Sequence, residues 1–85
     1  MSQIEKLIHK ASHSPQNLTF EELCLLFEHF GFIARSSGGS HIVYKRRDPP
    51  AATYSIQRGK CGKAKSYQVE WLINWIDEGI GNKYK

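Results

Sequence analysis

Between Phe32 and Gln57, three short runs of strand-forming residues are separated by connections too brief to cross a sheet. Phe32-Ile33-Ala34-Arg35-Ser36 leads into the turn Ser37-Gly38-Gly39. Ser40 to Arg46 leads into Arg47-Asp48-Pro49-Pro50, and Ala52 to Gln57 closes the series. Parallel neighbours need a crossover of roughly a dozen residues or more, so these runs are expected to pair as an antiparallel meander. The glycine pair allows a sharp bend, and neither proline of the second turn can donate to a ladder. Alternation then places Ile42 and Tyr44 with Tyr54 and Ile56 on one face, and His41, Val43 and Lys45 on the other. Val43 is the one position on that second face that burial would also suit.

Helical patterns flank the meander. Ile4, Leu7, Ile8 and Ala11 recur at i, i+3, i+4 and i+7, one face of a short helix over residues 3 to 11. A helix so short needs support, from the rest of the domain or from a second subunit. Ser12 to Asn17 has the composition of a linker. Thr19 with Glu22 three residues later forms a capping box, and Leu18 can staple onto Leu23. That helix runs to about Phe30 with Phe20, Leu23, Leu26, Phe27 and Phe30 on its apolar face, and Gly31 stops it. His29 falls on its polar side. After the Gly- and Lys-rich loop Arg58 to Lys65, Ser66 is the expected cap of a last helix. It spans Tyr67 to about Asp77, buries Val69, Leu72, Ile73 and Ile76, and ends at Gly79. Trp71 and Trp75, four apart, read first as packing at the core edge, with base stacking or a partner surface as the alternatives.

The fold class is therefore α+β. A three-stranded antiparallel sheet packs on two helices, in the order α-β-β-β-α, with an extra N-terminal helix. Residues 1–16 form the N-terminal helix and linker, 17–79 the main domain, and 80–85 a loose tail. Eighty-five residues suffice for one domain. No apolar run approaches the roughly 20 residues of a membrane span, and the N-terminus lacks the pattern of a secretory signal. Cys24 and Cys61 have no metal-ligand spacing and read as free thiols. These features point to the cytoplasm.

Charge is concentrated. The chain carries a formal net charge of +4, but Phe32 to Lys65 holds eight basic residues (Arg35, Lys45, Arg46, Arg47, Arg58, Lys60, Lys63, Lys65) and one acid, Asp48. A polyanion is the partner this favours. The lysines of the loop also arrive at a helix N-terminus, where partial positive charge favours anions. Within the same stretch His41 directly follows Gly38-Gly39-Ser40. Histidine can take and give a proton near neutrality, and in a positive field that points to chemistry on a phosphate backbone. A lone histidine after a hairpin turn is otherwise an ordinary surface residue, so the case rests on its neighbours.

Those neighbours carry a resemblance. Phe30-Gly31-Phe32, then Gly39-Ser40-His41 with Tyr44, then Gly62-Lys63-Ala64-Lys65 followed by Tyr67-Gln68-Val69, resemble the HicA toxin family over about Asn17 to Gly79. HicA toxins are small bacterial mRNA interferases. The resemblance implies a double-stranded-RNA-binding-domain-like fold, His41 as the catalytic histidine, mRNA as substrate and a HicB-like antitoxin as partner. Gly39, Ser40, Lys45, Arg58, Lys60, Lys63 and Lys65 are the expected RNA contacts. No cofactor or metal is expected, since Asp48 stands alone among the strands; a homo-oligomer is a further candidate assembly. The family commonly has a second histidine directly after the first, where this chain has Ile42, on the opposite face by alternation.

Overall fold

The architecture, taken from a computed structural model, is described for residues 3–36 and 41–80. In chain order it comprises α1 (Gln3–His13), a 3-10 turn (Pro15–Asn17), α2 (Phe20–His29), β1 (Ile33–Ser36), β2 (His41–Arg46), β3 (Ala52–Gln57), a 3-10 turn (Lys60–Gly62) and α3 (Ser66–Trp75). A wider π-type turn, Ile76–Ile80, follows α3. No helix among the described residues is long and apolar enough to cross a membrane.

The helix ends follow the sequence signals closely at α2. Thr19 Oγ1 accepts from the Glu22 N–H at 3.1 Å, and Glu22 Oε1 accepts from the Thr19 N–H at 2.9 Å, completing the capping box. At the other end Gly31 takes φ +91°. The Phe32 N–H then reaches Phe27 O at 3.1 Å and the Gly31 N–H reaches Glu28 O at 3.1 Å, a Schellman closure that needs a residue without Cβ penalty at Gly31.

Three local expectations are corrected. The stretch Ser12 to Asn17 is not a free linker: α1 continues to His13, and Pro15 opens a 3-10 turn, a first-turn position that suits its fixed φ. Leu18 is fully buried beyond it, and its carbonyl accepts from the Ala64 N–H at 2.9 Å. Ser66 is not the cap of α3. Lys65 occupies that position without a side-chain cap, because the bridges Thr19↔Lys63 and Arg58↔Ala64 fix where the chain enters the helix. Gly79 does not end the last helix either. It lies inside the π-type turn, where a Cβ would come within 3.0 Å of Pro50 Cγ, so this glycine admits the close approach of the β2–β3 turn.

The sheet has the expected order β1-β2-β3, antiparallel throughout, with Arg35 opposite Val43, His41 opposite Gln57 and Tyr44 opposite Tyr54. Its inner face packs on α2 and α3 through aromatic rings. Phe27 stacks on Tyr44 at 5.0 Å between centroids and meets Phe32 edge-on at 5.0 Å. Trp71 stacks on Tyr54 at 4.0 Å, and Trp75 meets Phe32 at 5.0 Å. The tryptophans therefore serve packing, the first of the readings open to them. Ile42 is half-buried against this core, on the face away from His41. The N-terminal helix is part of the same body. Leu7 and Ala11 are buried against α2 and α3, and Lys10 Nζ reaches Glu22 Oε1 at 3.0 Å.

Candidate functional site

The outer face of the sheet, opposite the helices, is the candidate site. Alternation from the buried Phe32 puts Ile33 and Arg35 of β1 on it. His41, Val43 and Lys45 follow from β2, and Thr53, Ser55 and Gln57 from β3. His41, Arg35 and Lys45 are exposed. Because Arg35 lies opposite Val43, it is diagonal to both His41 and Lys45, about 7–8 Å away along such diagonals. Among the described residues this face carries no acidic side chain. Arg35 was absent from the contacts expected from the sequence, although the same alternation that placed Lys45 would have placed it here.

The end of the sheet at which β2 begins is also the end at which β3 leaves for the basic loop. Gln57, directly across from His41, is held there by two neighbours. Lys65 Nζ donates to its Oε1 at 3.1 Å, and its backbone N–H donates to Gln68 Oε1 at 3.2 Å. Gln68, in turn, is buried at 4% exposure, and its Nε2 donates to Tyr67 Oη at 3.2 Å. Gln68 and Tyr67 carry part of the resemblance but have no role assigned from the sequence; a polar residue on the apolar stripe of α3 was the available signal for the first. Loop geometry narrows around these groups. Gly59 donates to Lys63 O at 2.8 Å, and a Cβ on Gly59 would approach that oxygen to 2.8 Å.

The basic residues thus divide. Lys65 reaches the Gln57 that stands across from His41, and Lys45 lies four residues along β2 on the same face, while Lys60 and Lys63 are exposed on the adjoining loop. Arg58 is drawn elsewhere: its Nη2 pairs with Glu21 Oε2 at 2.7 Å and its guanidinium lies 4.8 Å from the Phe20 ring centroid. The Arg58 hydrogen bond holds the Glu21 carboxyl below the usual carboxylate range. Arg46 turns inward and ties three segments together. Its Nε donates to Phe30 O at 2.7 Å and its Nη1 to Asp48 O at 2.6 Å and Pro50 O at 3.1 Å. Its guanidinium sits 5.3 Å from the Trp75 ring centroid. The expected contacts Gly39 and Ser40, with the turn at Gly38, lie outside the described residues, as does the tail 81–85.

Other reactive groups are in structural service. Burial pushes the Cys24 thiol up, opposing the thiolate form that a nucleophile needs. Burial also pushes the Tyr44 phenol far up, and it donates to Glu28 Oε2 at 2.9 Å. Cys24 and Cys61 are free thiols. No group of three or more metal-ligating side chains occurs among the described residues. Hollows of ≈ 240 and ≈ 280 Å³ lie between α1 and α3 and along α3, and neither is lined by His41, Arg35 or Lys45. Comparison with protein-family models, with curated proteins and with solved structures gives no match.

Proposed function

We propose that the outer sheet face is an RNA-cleaving surface, and that the protein is the endoribonuclease toxin of a toxin–antitoxin pair. The observation that carries this reading is the placement of His41. It is exposed at the head of the central strand, on a face shared with Arg35 and Lys45, and opposite the Gln57 that Lys65 holds. The resemblance to HicA toxins adds the expectation of mRNA as substrate, a HicB-like antitoxin as partner, the cytoplasm as compartment and a double-stranded-RNA-binding-domain-like topology.

RNA supplies its own nucleophile. The 2′-oxygen attacks the adjacent phosphorus, the bond from phosphorus to the 5′-oxygen breaks, and a 2′,3′-cyclic phosphate and a 5′-hydroxyl result. His41 takes the 2′-hydroxyl proton and returns a proton to the departing 5′-oxygen. General acid–base assistance of this kind is worth about 10²–10⁴-fold. Arg35 and Lys65 offset the charge that develops on the phosphoryl oxygens, and Lys45, further along β2, holds the adjoining backbone. Lys60 and Lys63 extend the cationic track, and Gly39 and Ser40 are the approach that the resemblance implies.

The test is RNA turnover in EDTA by the wild type and His41→Ala, with folding checked by circular dichroism. A folded variant that has lost turnover and keeps RNA affinity supports the proposal. Turnover unchanged by the substitution removes His41 from the mechanism. Binding with no turnover by the wild type leaves a module that holds RNA through its backbone.

A further inference from the structure

All but one of the phenylalanine, tyrosine and tryptophan side chains in the described residues are buried or half-buried; Tyr67, in the first turn of α3, is 59% exposed. Trp71, the other ring near it on α3, is committed to Tyr54 at 4.0 Å. Tyr67 is nevertheless held in place. Its hydroxyl accepts from Gln68 Nε2 at 3.2 Å, and the buried Gln68 accepts from the Gln57 N–H at 3.2 Å. Gln57 stands opposite His41 and accepts from Lys65. One strand spacing, about 4.7–4.9 Å, and two hydrogen bonds therefore link the histidine to the phenol. A buried polar side chain whose two ends fix a strand terminus and an exposed ring is an expensive device for a surface tyrosine without a task.

We infer that Tyr67 is a stacking platform for one unpaired base of an RNA chain whose backbone lies along His41 and Lys65; this deepens, and rests on, the nuclease reading. Recognition of unpaired RNA commonly splays bases onto aromatic rings, and stacking tolerates any base because every base has a π-face. Apart from the His41 imidazole, which the proposed chemistry occupies, the outer sheet face offers cations, hydroxyls and an amide, so the remaining contacts read the backbone. The chemistry agrees. Attack by the 2′-oxygen requires it to swing opposite the leaving 5′-oxygen, which a regular A-form stack does not permit. The substrate class is then RNA unpaired at the cleaved step, with little preference for base identity.

The experiment uses oligodeoxyuridylate, which lacks the 2′-hydroxyl and cannot be cleaved, beside an abasic deoxyribose-phosphate oligomer of the same length. The wild type is expected to bind the oligomer with bases about tenfold more tightly. Tyr67→Ala is expected to bind both alike, and Tyr67→Phe to keep the discrimination because it keeps the ring. A Tyr67→Ala protein that discriminates as the wild type does, or a wild type that binds both equally, overturns the inference. Turnover of oligouridylate by the wild type against His41→Ala is read separately. Discrimination without turnover sinks the nuclease and leaves the platform standing; turnover without discrimination does the reverse.

Discussion

Adjacent cations on β2 have opposite employment, and the difference is testable one side chain at a time. Lys45 is exposed on the outer face, whereas Arg46 is bonded to the carbonyls of Phe30, Asp48 and Pro50 and stacked on Trp75. Removing Arg46 leaves the part-buried Phe30 and Pro50 carbonyls without this donor, so Arg46→Ala should lower stability by about 2–4 kcal/mol in urea titration. Lys45→Ala should stay within about 0.5 kcal/mol of the wild type. Equal stabilities for the two variants would show that the Arg46 network holds nothing. Glu22 supplies a pH dependence. Burial raises its carboxyl, but the Thr19 N–H and the Lys10 ammonium outweigh this and leave it lowered. A carboxyl lowered in the folded state stabilises the fold fully above its unfolded pKa, and that contribution is lost as pH falls through the folded value. Glu22→Gln should therefore flatten the fall in urea midpoint between about pH 7 and pH 3. A profile parallel to the wild type would deny the capping box its electrostatic part.

Elements were legible where one residue carries one instruction. Thr19, Glu22 and Gly31 dictate both ends of α2, and period-two alternation over Ile42, Tyr44, Tyr54 and Ile56 dictates the inner sheet face. What escaped depends on partners distant in sequence. The entry of α3 is set by Lys63 and Ala64 meeting Thr19 and Leu18, so Ser66 lies one position inside the helix. The extension past Trp75 is set by Gly79 meeting Pro50, and no local signal in Ile76 to Ile80 announces it. The docking of α1 was the open question in the sequence, and burial of Leu7 and Ala11 against α2 and α3 answers it. Leu7→Ala should accordingly cost about 2–4 kcal/mol, read as a shift in urea midpoint at unchanged slope. A cost within about 0.5 kcal/mol would mean that the helix contributes nothing to the body it lies on. Gly59→Ala tests the basic loop in the same way. Its new Cβ meets the Lys63 carbonyl at 2.8 Å, and overpacking of this kind typically costs about 1–3 kcal/mol.

At the scale of the whole molecule the charge is divided between faces, and only part of that division could be read from the chain. Counting placed the positive charge between Phe32 and Lys65, but counting treats Arg46 and Arg58 like Lys45 and Lys65. The contacts separate them: one arginine binds the protein's own carbonyls and the other its own Glu21. On the opposite side, residues 66–80 contain Glu70, Asp77 and Glu78 and no lysine or arginine. A polyanion approaching this protein is therefore drawn to the outer sheet face, the loop and the first turn of α3, and repelled by the acidic stretch from Glu70 to Glu78, which fixes its orientation before contact. The number of phosphates engaged follows from the same division. If Arg35, Lys45 and Lys65 each neutralise one phosphate, the slope of log affinity against log salt for single-stranded RNA is about −2; with Lys60 and Lys63 it reaches about −3.5. Lys45→Ala should reduce that slope by about 0.7. Arg58→Ala should leave it unchanged, because its charge is already answered by Glu21 across 2.7 Å. Fluorescence anisotropy over a salt series measures both. A slope that falls equally for the two variants would mean that RNA displaces Glu21 and that the cationic surface extends around to α2, which would move the binding track away from the face that holds His41.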